Sequence, residues 1–272
     1  MDRGKSAIGV FDSGVGGVSV LKALQRALPN ESFIYVADSA NAPYGDKSTA
    51  FIEGRTSATA SFLVASHAKA IVVACNTATV VAVQALRAHY SIPVIAMEPA
   101  IKPAVQLTRS GVVGVLATER TLESPALAAL CRRFGETVEV IPQPCPGLVE
   151  AVERGEMDAE ATAQLLRRYV EPLLAKGADT LVLGCTHYVN LSDQIQRIAG
   201  PGITIVESSA AVARQLERRL AETGNLSDGM SNAETRFFTT GRADQVQPVI
   251  SALWGATVHV QAIEAPDART VA

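Results

Sequence analysis

The sequence has little net charge, few cysteines and no long apolar run. Its 272 residues carry 24 basic and 27 acidic side chains, and the formal net charge of −3 provides no basic surface for nucleic acid or an anionic membrane. No apolar stretch approaches the roughly 18 residues that span a bilayer, and the N-terminal residues 1–6 are polar. We therefore expect a cytoplasmic protein that binds neither nucleic acid nor membrane and acts on a small molecule.

The four cysteines also lack the spacings of a metal site. No CxxC or HxxxH pair occurs in the sequence, whereas structural zinc sites usually bring their ligands in such pairs. Disulfides are not expected either, because a reducing cytosol keeps thiols free. The chain is thus expected to hold no metal, and the remaining question is what its free thiols do.

Short apolar runs rich in β-branched residues alternate with segments of helical periodicity. Seven such runs occur, at residues 8–11, 33–37, 70–74, 93–97, 112–116, 180–184 and 203–206. Alternation of this kind predicts βαβ units and therefore an α/β fold with mainly parallel sheets.

The strands also indicate an internal repeat. Similar segments recur at separations of 105, 110 and 109 residues, measured from Ile8 to Val113, from Cys75 to Cys185 and from Glu98 to Glu207. We therefore predict two similar, pseudo-symmetric α/β domains with the active site in the cleft between them. The first would comprise residues 1–97 and 208–272, and the second residues 98–207.

Cys75 and Cys185 occupy equivalent places in this repeat, each after an apolar strand and before a helix. Ligands of open α/β sheets bind at the carboxyl ends of the strands. Helix N-termini offer N–H groups to anions and lower the pKa of a thiol, so both cysteines are expected to be activated. Two facing domains would place one thiol on each side of a carboxylate-bearing ligand.

Two opposed thiols suit the inversion of a carbon centre, because one group removes a proton while the other donates one. Asp12 and His187 stand close enough in sequence to these motifs to adjust thiol protonation. The loops at 12–17, 76–79 and 186–188 supply hydroxyl, amide and N–H donors for the carboxylates of an acidic amino acid. No lysine lies within these motifs to hold pyridoxal phosphate, and this favours chemistry without a cofactor.

At these residues the chain closely resembles the glutamate racemases of the aspartate/glutamate racemase superfamily. The resemblance covers most of the chain, in the blocks GVFDSGVGG (9–17), ADSANAPYGDKS (37–48), VACNTAT (73–79), VGVLATERT (113–121), CPGLVE (145–150) and LGCTHY (183–188). It implies racemisation of glutamate without a cofactor, D-glutamate supplied to peptidoglycan, and a possible homodimer.

The resemblance also implies the roles of individual residues. Cys75 would remove the α-proton of D-glutamate and Cys185 that of L-glutamate, with three auxiliary residues, Asp12, Glu150 and His187. Substrate contacts would fall on Asp12, Ser13, Tyr44, Gly45, Asn76, Thr77, Thr118, Thr186 and His187.

Two other functions stay open at this point. An aspartate or other amino-acid racemase would use the same chemistry, and one methylene in a pocket changes specificity by only about 1–3 kcal/mol. A dinucleotide-binding domain would use the glycines of residues 12–17 and Asp38 as its acidic residue, although Ser19 stands where its third glycine is expected.

Overall fold

The computed structural model describes residues 6–134, 137–227, 229 and 233–264, which form an α/β structure. Its strands are β1 (Ile8–Asp12), β2 (Phe33–Ala37), β3 (Ala70–Val73), β4 (Val94–Ala96), β5 (Val112–Ala117), β6 (Glu139–Pro144), β7 (Thr180–Leu183), β8 (Thr204–Val206), β9 (Thr235–Thr239) and β10 (Val260–Ala262).

Helices connect these strands. They are α1 (Val18–Ala27), α2 (Thr49–Ala65), α3 (Asn76–His89), α4 (Ile101–Leu107), α5 (Glu119–Leu122), α6 (Pro125–Phe134), α7 (Leu148–Glu153), α8 (Glu160–Ala175), α9 (Thr186–Val189), α10 (Ser192–Ala199), α11 (Ser209–Glu222) and α12 (Ala243–Trp254). A 3-10 helix, Ser39–Asn41, follows β2.

The strands form two parallel sheets, so the predicted fold class is confirmed. One sheet has the order β10-β9-β2-β1-β3-β4 and the other β6-β5-β7-β8. The four strands β2-β1-β3-β4 and the four strands β6-β5-β7-β8 follow the same order, as the internal repeat predicts. Cys75 is the second residue after β3, and its equivalent in this alignment of sheets is the second residue after β7, which is Cys185.

Burial explains which runs form central strands. Every residue of β1, β2, β3 and β7 is buried, because helices cover both faces of a parallel sheet. All seven runs identified in the sequence are strands in the structure. The sequence analysis missed β6, β9 and β10; β6 carries Pro142 and Pro144 and pairs only with β5 at a sheet edge, where proline is tolerated.

The chain passes from one sheet to the other twice. It leaves the first sheet at Ala96 and enters the second at Val112, and it returns between Val206 and Thr235 by way of α11, which packs against α1. Within the described part of the chain, no helix is long and apolar enough to cross a membrane.

Candidate active site between the two sheets

Cys75 and Cys185 lie at matching positions in the two sheets. Cys75 follows β3 and is the N-cap of α3, and its Sγ accepts a hydrogen bond from the Ala78 N–H at 3.4 Å. Cys185 follows β7 and is the N-cap of α9. Both side chains are buried and both line one narrow cavity. The repeat thus brings the two thiols to the same space from opposite halves of the chain.

Most of the residues predicted to bind substrate line this same cavity. They are Ser13, Tyr44, Gly45, Asn76, Thr77, Thr118, Thr186 and His187. Pro43 and Val149 complete the lining. The resemblance therefore selects side chains that the fold gathers in one place, although they come from distant segments of the sequence.

Asp12 ends β1 beneath the cavity. Its carboxylate accepts hydrogen bonds from the backbone N–H groups of Ser13 at 2.8 Å and Gly17 at 2.7 Å, and from the Thr186 hydroxyl at 3.2 Å. Complete burial raises the pKa of Asp12, although nearby His187 and the two backbone N–H groups act in the opposite direction. Asp12 therefore joins the loop after β1 to the start of α9.

His187 lies beside Cys185. Its Nδ1 is 3.8 Å from Cys185 Sγ and 3.9 Å from the Asp12 carboxylate, and the ring is almost fully buried. Burial lowers the pKa of His187, but the hydrogen bonds to Cys185 and Glu153 and the charge of Asp12 outweigh burial, so this pKa stands well above its usual value. These contacts favour the protonated form of the ring.

Glu153 is the carboxylate that holds this ring, and the sequence analysis missed it. Its Oε1 accepts hydrogen bonds at 2.6 Å from His187 Nε2 and from the Val15 N–H. The resemblance assigned the auxiliary carboxylate to Glu150, which lines a neighbouring cavity instead. Both glutamates lie in α7, whose whole sequence is LVEAVE, three residues apart. The way this helix packs places Glu153, and not Glu150, against His187.

Two glycines of the loop after β1 make this close approach possible. A Cβ added to Gly14 would collide with the Glu153 carboxylate, and one added to Gly16 would collide with the His187 ring. The glycines that resembled part of a dinucleotide-binding loop therefore leave room for side chains of the second sheet.

The environment of Cys75 differs from the sequence expectation. Its Sγ lies 3.6 Å from Ser13 Oγ, and the N–H at the start of α3 points at it. Burial and the charge of Asp12 nevertheless raise the pKa of Cys75 strongly, because they outweigh these two hydrogen bonds. The N–H at the start of α3 thus acts in the expected direction, but burial outweighs it, so the expectation that Cys75 is activated is wrong.

Threonine hydroxyls connect the two halves at the rim of the cavity. Thr77, at the start of α3, lies with its Oγ1 3.0 Å from Thr118 Oγ1 and 3.4 Å from Thr121 Oγ1, both of which follow β5. Next to Thr77, the side-chain amide of Asn76 is buried and has no hydrogen-bond partner among the described residues. An unsatisfied amide in such a place is typical of a group that awaits a ligand.

Tyr44 is held by Asp38 rather than by the cavity. Its hydroxyl donates to the Asp38 carboxylate at 2.5 Å, and Arg55 donates to the same carboxylate from Nε at 3.0 Å and from a terminal nitrogen at 2.7 Å. The hydroxyl of Tyr44 is therefore occupied, and Tyr44 and Gly45 present ring and backbone atoms to the cavity. Among the described residues, no group of three or more histidine, cysteine, aspartate or glutamate side chains could hold a metal ion.

Known proteins resemble this chain in sequence and in fold. The Asp/Glu/Hydantoin racemase family model matches residues 8–216. A glutamate racemase from Methylococcus capsulatus is 50% identical over 97% of this chain and 98% of its own length.

Two solved structures share the fold over nearly their whole length. Glutamate racemase from Francisella tularensis in complex with D-glutamate has a TM-score of 0.83 and 32% identity, and covers 97% of this chain and 99% of its own. Glutamate racemase from Escherichia coli in complex with L-glutamate and the activator UDP-MurNAc-Ala has a TM-score of 0.83 and 33% identity, and covers 94% of this chain and 97% of its own. The chain therefore belongs to the Asp/Glu/Hydantoin racemase family, whose members are isomerases, and it matches the glutamate racemases among them from end to end.

Proposed function

We propose that this chain racemises glutamate without a cofactor, using Cys75 and Cys185 as its two acid/base groups. The observation that carries the proposal is the matched placement of these thiols after β3 and β7, both facing one cavity. Inversion of the α-carbon requires an acid on one face and a base on the other, and two thiols can exchange these roles.

In the proposed reaction Cys185, as thiolate, removes the α-proton of L-glutamate, and Cys75 then donates its proton to the opposite face. One C–H bond breaks as the S–H bond of Cys185 forms, and a new C–H bond forms as the S–H bond of Cys75 breaks. In the reverse direction Cys75 removes the proton of D-glutamate and Cys185 donates one. The raised pKa of Cys75 supports a protonated thiol on that side in the free enzyme.

Hydrogen-bond donors replace the electron sink that a cofactor would supply. Several donors suit the substrate carboxylates: the unpartnered amide of Asn76, the hydroxyls of Thr77, Thr118 and Thr186, and the N-terminus of α3. Negative charge that develops on the α-carbon and its carboxylate would be stabilised by these fixed donors. Ser13 lines the same cavity and its N–H binds the Asp12 carboxylate, and this pair suits the substrate ammonium group.

We assign the auxiliary carboxylate to Glu153, since this side chain contacts His187, while Glu150 faces the neighbouring cavity. His187 would serve the Cys185 side, since its Nδ1 lies 3.8 Å from Cys185 Sγ. Asp12 would serve the Cys75 side, because its charge acts on that thiol.

The wider setting is proposed on the resemblance. D-glutamate would supply peptidoglycan synthesis in the cytoplasm, and the enzyme would work as a homodimer. The two sheets support a division into domains 1–97 with 208–272, and 98–207. Residues 1–5, 228, 230–232 and 265–272 of the first and 135–136 of the second lie outside the described residues.

The proposal is tested by incubating the purified protein with L-glutamate in heavy water, without pyridoxal phosphate or metal. We expect optical activity to fall as deuterium enters the α-carbon, and the same assay with aspartate to give a much lower rate. A faster reaction with aspartate would show that aspartate, and not glutamate, is the substrate. If neither amino acid exchanged its α-proton, racemisation of both would be contradicted.

A further inference from the structure

A hydroxyl from the first sheet completes the contacts of Glu153. Ser39 Oγ donates to Glu153 Oε2 at 3.2 Å, while Oε1 is taken by His187 Nε2 and the Val15 N–H, each at 2.6 Å. Both oxygens of the carboxylate are therefore engaged. Ser39 begins the 3-10 helix after β2, whereas Glu153 ends α7 of the other half, so this hydrogen bond crosses between the halves.

Ser39 stands on a fixed part of the backbone. The preceding residue, Asp38, is fully buried, its N–H donates to the Asp12 carbonyl at 3.0 Å, and its carboxylate accepts hydrogen bonds from Arg55 and from the Thr240 hydroxyl. The backbone carrying Ser39 is thus tied to the end of β1, where Asp12 lies. A serine side chain has a single rotatable bond to its oxygen, so a fixed backbone leaves few positions for the hydroxyl.

This contact bears on the proton-transfer site through a chain of two hydrogen-bonded groups. A glutamate side chain turns about three bonds, and one filled oxygen does not by itself fix the plane of the carboxylate. With Oε2 also held, Oε1 stays directed at His187 Nε2, and the opposite ring nitrogen stays beside Cys185 Sγ. Small errors in the placement of an acid/base group are costly in rate.

We propose that Ser39 is a positioning residue for proton transfer at Cys185, acting through Glu153 and His187. The inference rests on the proposed two-thiol racemisation of glutamate. Ser39 has no contact with substrate in this role. Its loss should slow proton transfer at Cys185 and leave proton transfer at Cys75 unchanged, because Cys75 is not part of this hydrogen-bonded chain.

The test is Ser39→Ala, measured as kcat and KM in both directions and as deuterium isotope effects on kcat/KM. We expect kcat to fall about tenfold, because a hydrogen bond to a charged group is lost. The fall should be equal in both directions, because the equilibrium constant of the reaction does not change, and KM should stay within about twofold of its wild-type value. Proton removal by Cys185 then limits the rate more than before. The isotope effect with α-deuterated L-glutamate should rise, and that with α-deuterated D-glutamate should fall, because the α-deuteron of D-glutamate is removed by Cys75.

Two further variants separate positioning from general loosening of the structure. Ser39→Thr keeps a hydroxyl on the same Cβ and should restore most of kcat and the original pair of isotope effects. Thr108→Val removes a hydroxyl that binds Asp179, outside the chain of contacts from Ser39 to His187, and should lower thermal stability without shifting the balance of isotope effects.

Several results would overturn the positioning role. They are a wild-type kcat in Ser39→Ala, a reduced kcat with both isotope effects unchanged, or the same isotope shift in Thr108→Val. Failure of the proposed function is distinguishable, because the unmodified protein would then show no glutamate racemisation; that result would remove the positioning role as well.

Discussion

The two thiols share a fold position but differ in their surroundings. Cys75 faces a hydroxyl and a backbone N–H, and burial together with Asp12 raises its pKa. Cys185 faces His187, which is held by Glu153 and whose pKa is also raised. The duplicated α/β topology explains why the thiols face each other, whereas the loops after β1 and β6 determine how each one is tuned.

This difference is consistent with the chemistry that we propose. A protonated thiol at Cys75 is the arrangement needed to begin with L-glutamate, because Cys185 then removes a proton and Cys75 donates one. For D-glutamate the protons must be redistributed first. Perturbing one side at a time should therefore change the two directions in distinguishable ways.

Loss of either thiol should have the largest effect on racemisation. Cys75→Ser and Cys185→Ser should each reduce racemisation by about a thousandfold or more, because a hydroxyl is a far weaker acid than a thiol and general acid–base catalysis contributes about 10²–10⁴ in rate. Polarimetry with L- and D-glutamate measures the loss, and circular dichroism checks the fold.

Cys131→Ser is the matched control, since Cys131 is a free, partly exposed cysteine on α6. It should retain wild-type activity. Near-normal activity in either Cys75→Ser or Cys185→Ser would contradict the two-thiol mechanism.

Removing the charge of Glu153 should slow proton transfer at Cys185 and leave proton transfer at Cys75 unchanged. Glu153→Gln should lower kcat about 10- to 100-fold, as expected when an acid/base group loses its partner. The hydrogen bond from Glu153 helps to raise the pKa of His187, so this pKa should fall in the variant. Activity that depends on the imidazolium would then be lost at a lower pH as the pH rises, which a profile of kcat/KM for L-glutamate measures.

Glu150→Gln provides the control one helical turn earlier. It changes the same functional group on the same helix but faces the neighbouring cavity, and it should retain most of the activity and the wild-type pH profile. An equal loss in both variants would restore the auxiliary role to Glu150.

The sequence predicted the placement of the site better than its tuning. The apolar runs and the repeat located Cys75 and Cys185 at strand ends, because burial between helices imposes a recognisable pattern on parallel strands. Glu153 was missed because Glu150 occupies the same sequence pattern, and only the three-dimensional packing of α7 distinguishes them. The raised pKa of Cys75 was missed for a related reason: the helix N-terminus is readable in sequence, but the burial that outweighs it is not.

The smallest effect on the two thiols is expected from a substitution of Asp179, an aspartate of the second half that stabilises the fold. Asp179 accepts hydrogen bonds from the hydroxyls of Thr108 and Thr180 and from the N–H groups of Arg109 and Ser110. Burial alone would raise the pKa of Asp179, but these four hydrogen bonds outweigh burial and lower it. The ionised carboxylate therefore ties the chain after α4 to the start of β7.

Asp179→Asn should lower the free energy of unfolding by about 1–3 kcal/mol at neutral pH, because the amide cannot accept all these hydrogen bonds. A carboxylate whose pKa is depressed in the folded protein stabilises it above the unfolded pKa, and this stabilisation is lost as the pH falls toward the folded pKa. The gap between variant and wild type, measured by urea unfolding, should accordingly be full near pH 7 and shrink below about pH 4, near the ordinary pKa of aspartate. The balance of isotope effects between L- and D-glutamate should stay at its wild-type value, since Asp179 contacts neither thiol's partners. A shift in that balance would show that the stability of the second half, rather than the Glu153 and His187 contacts, makes the two thiols unlike.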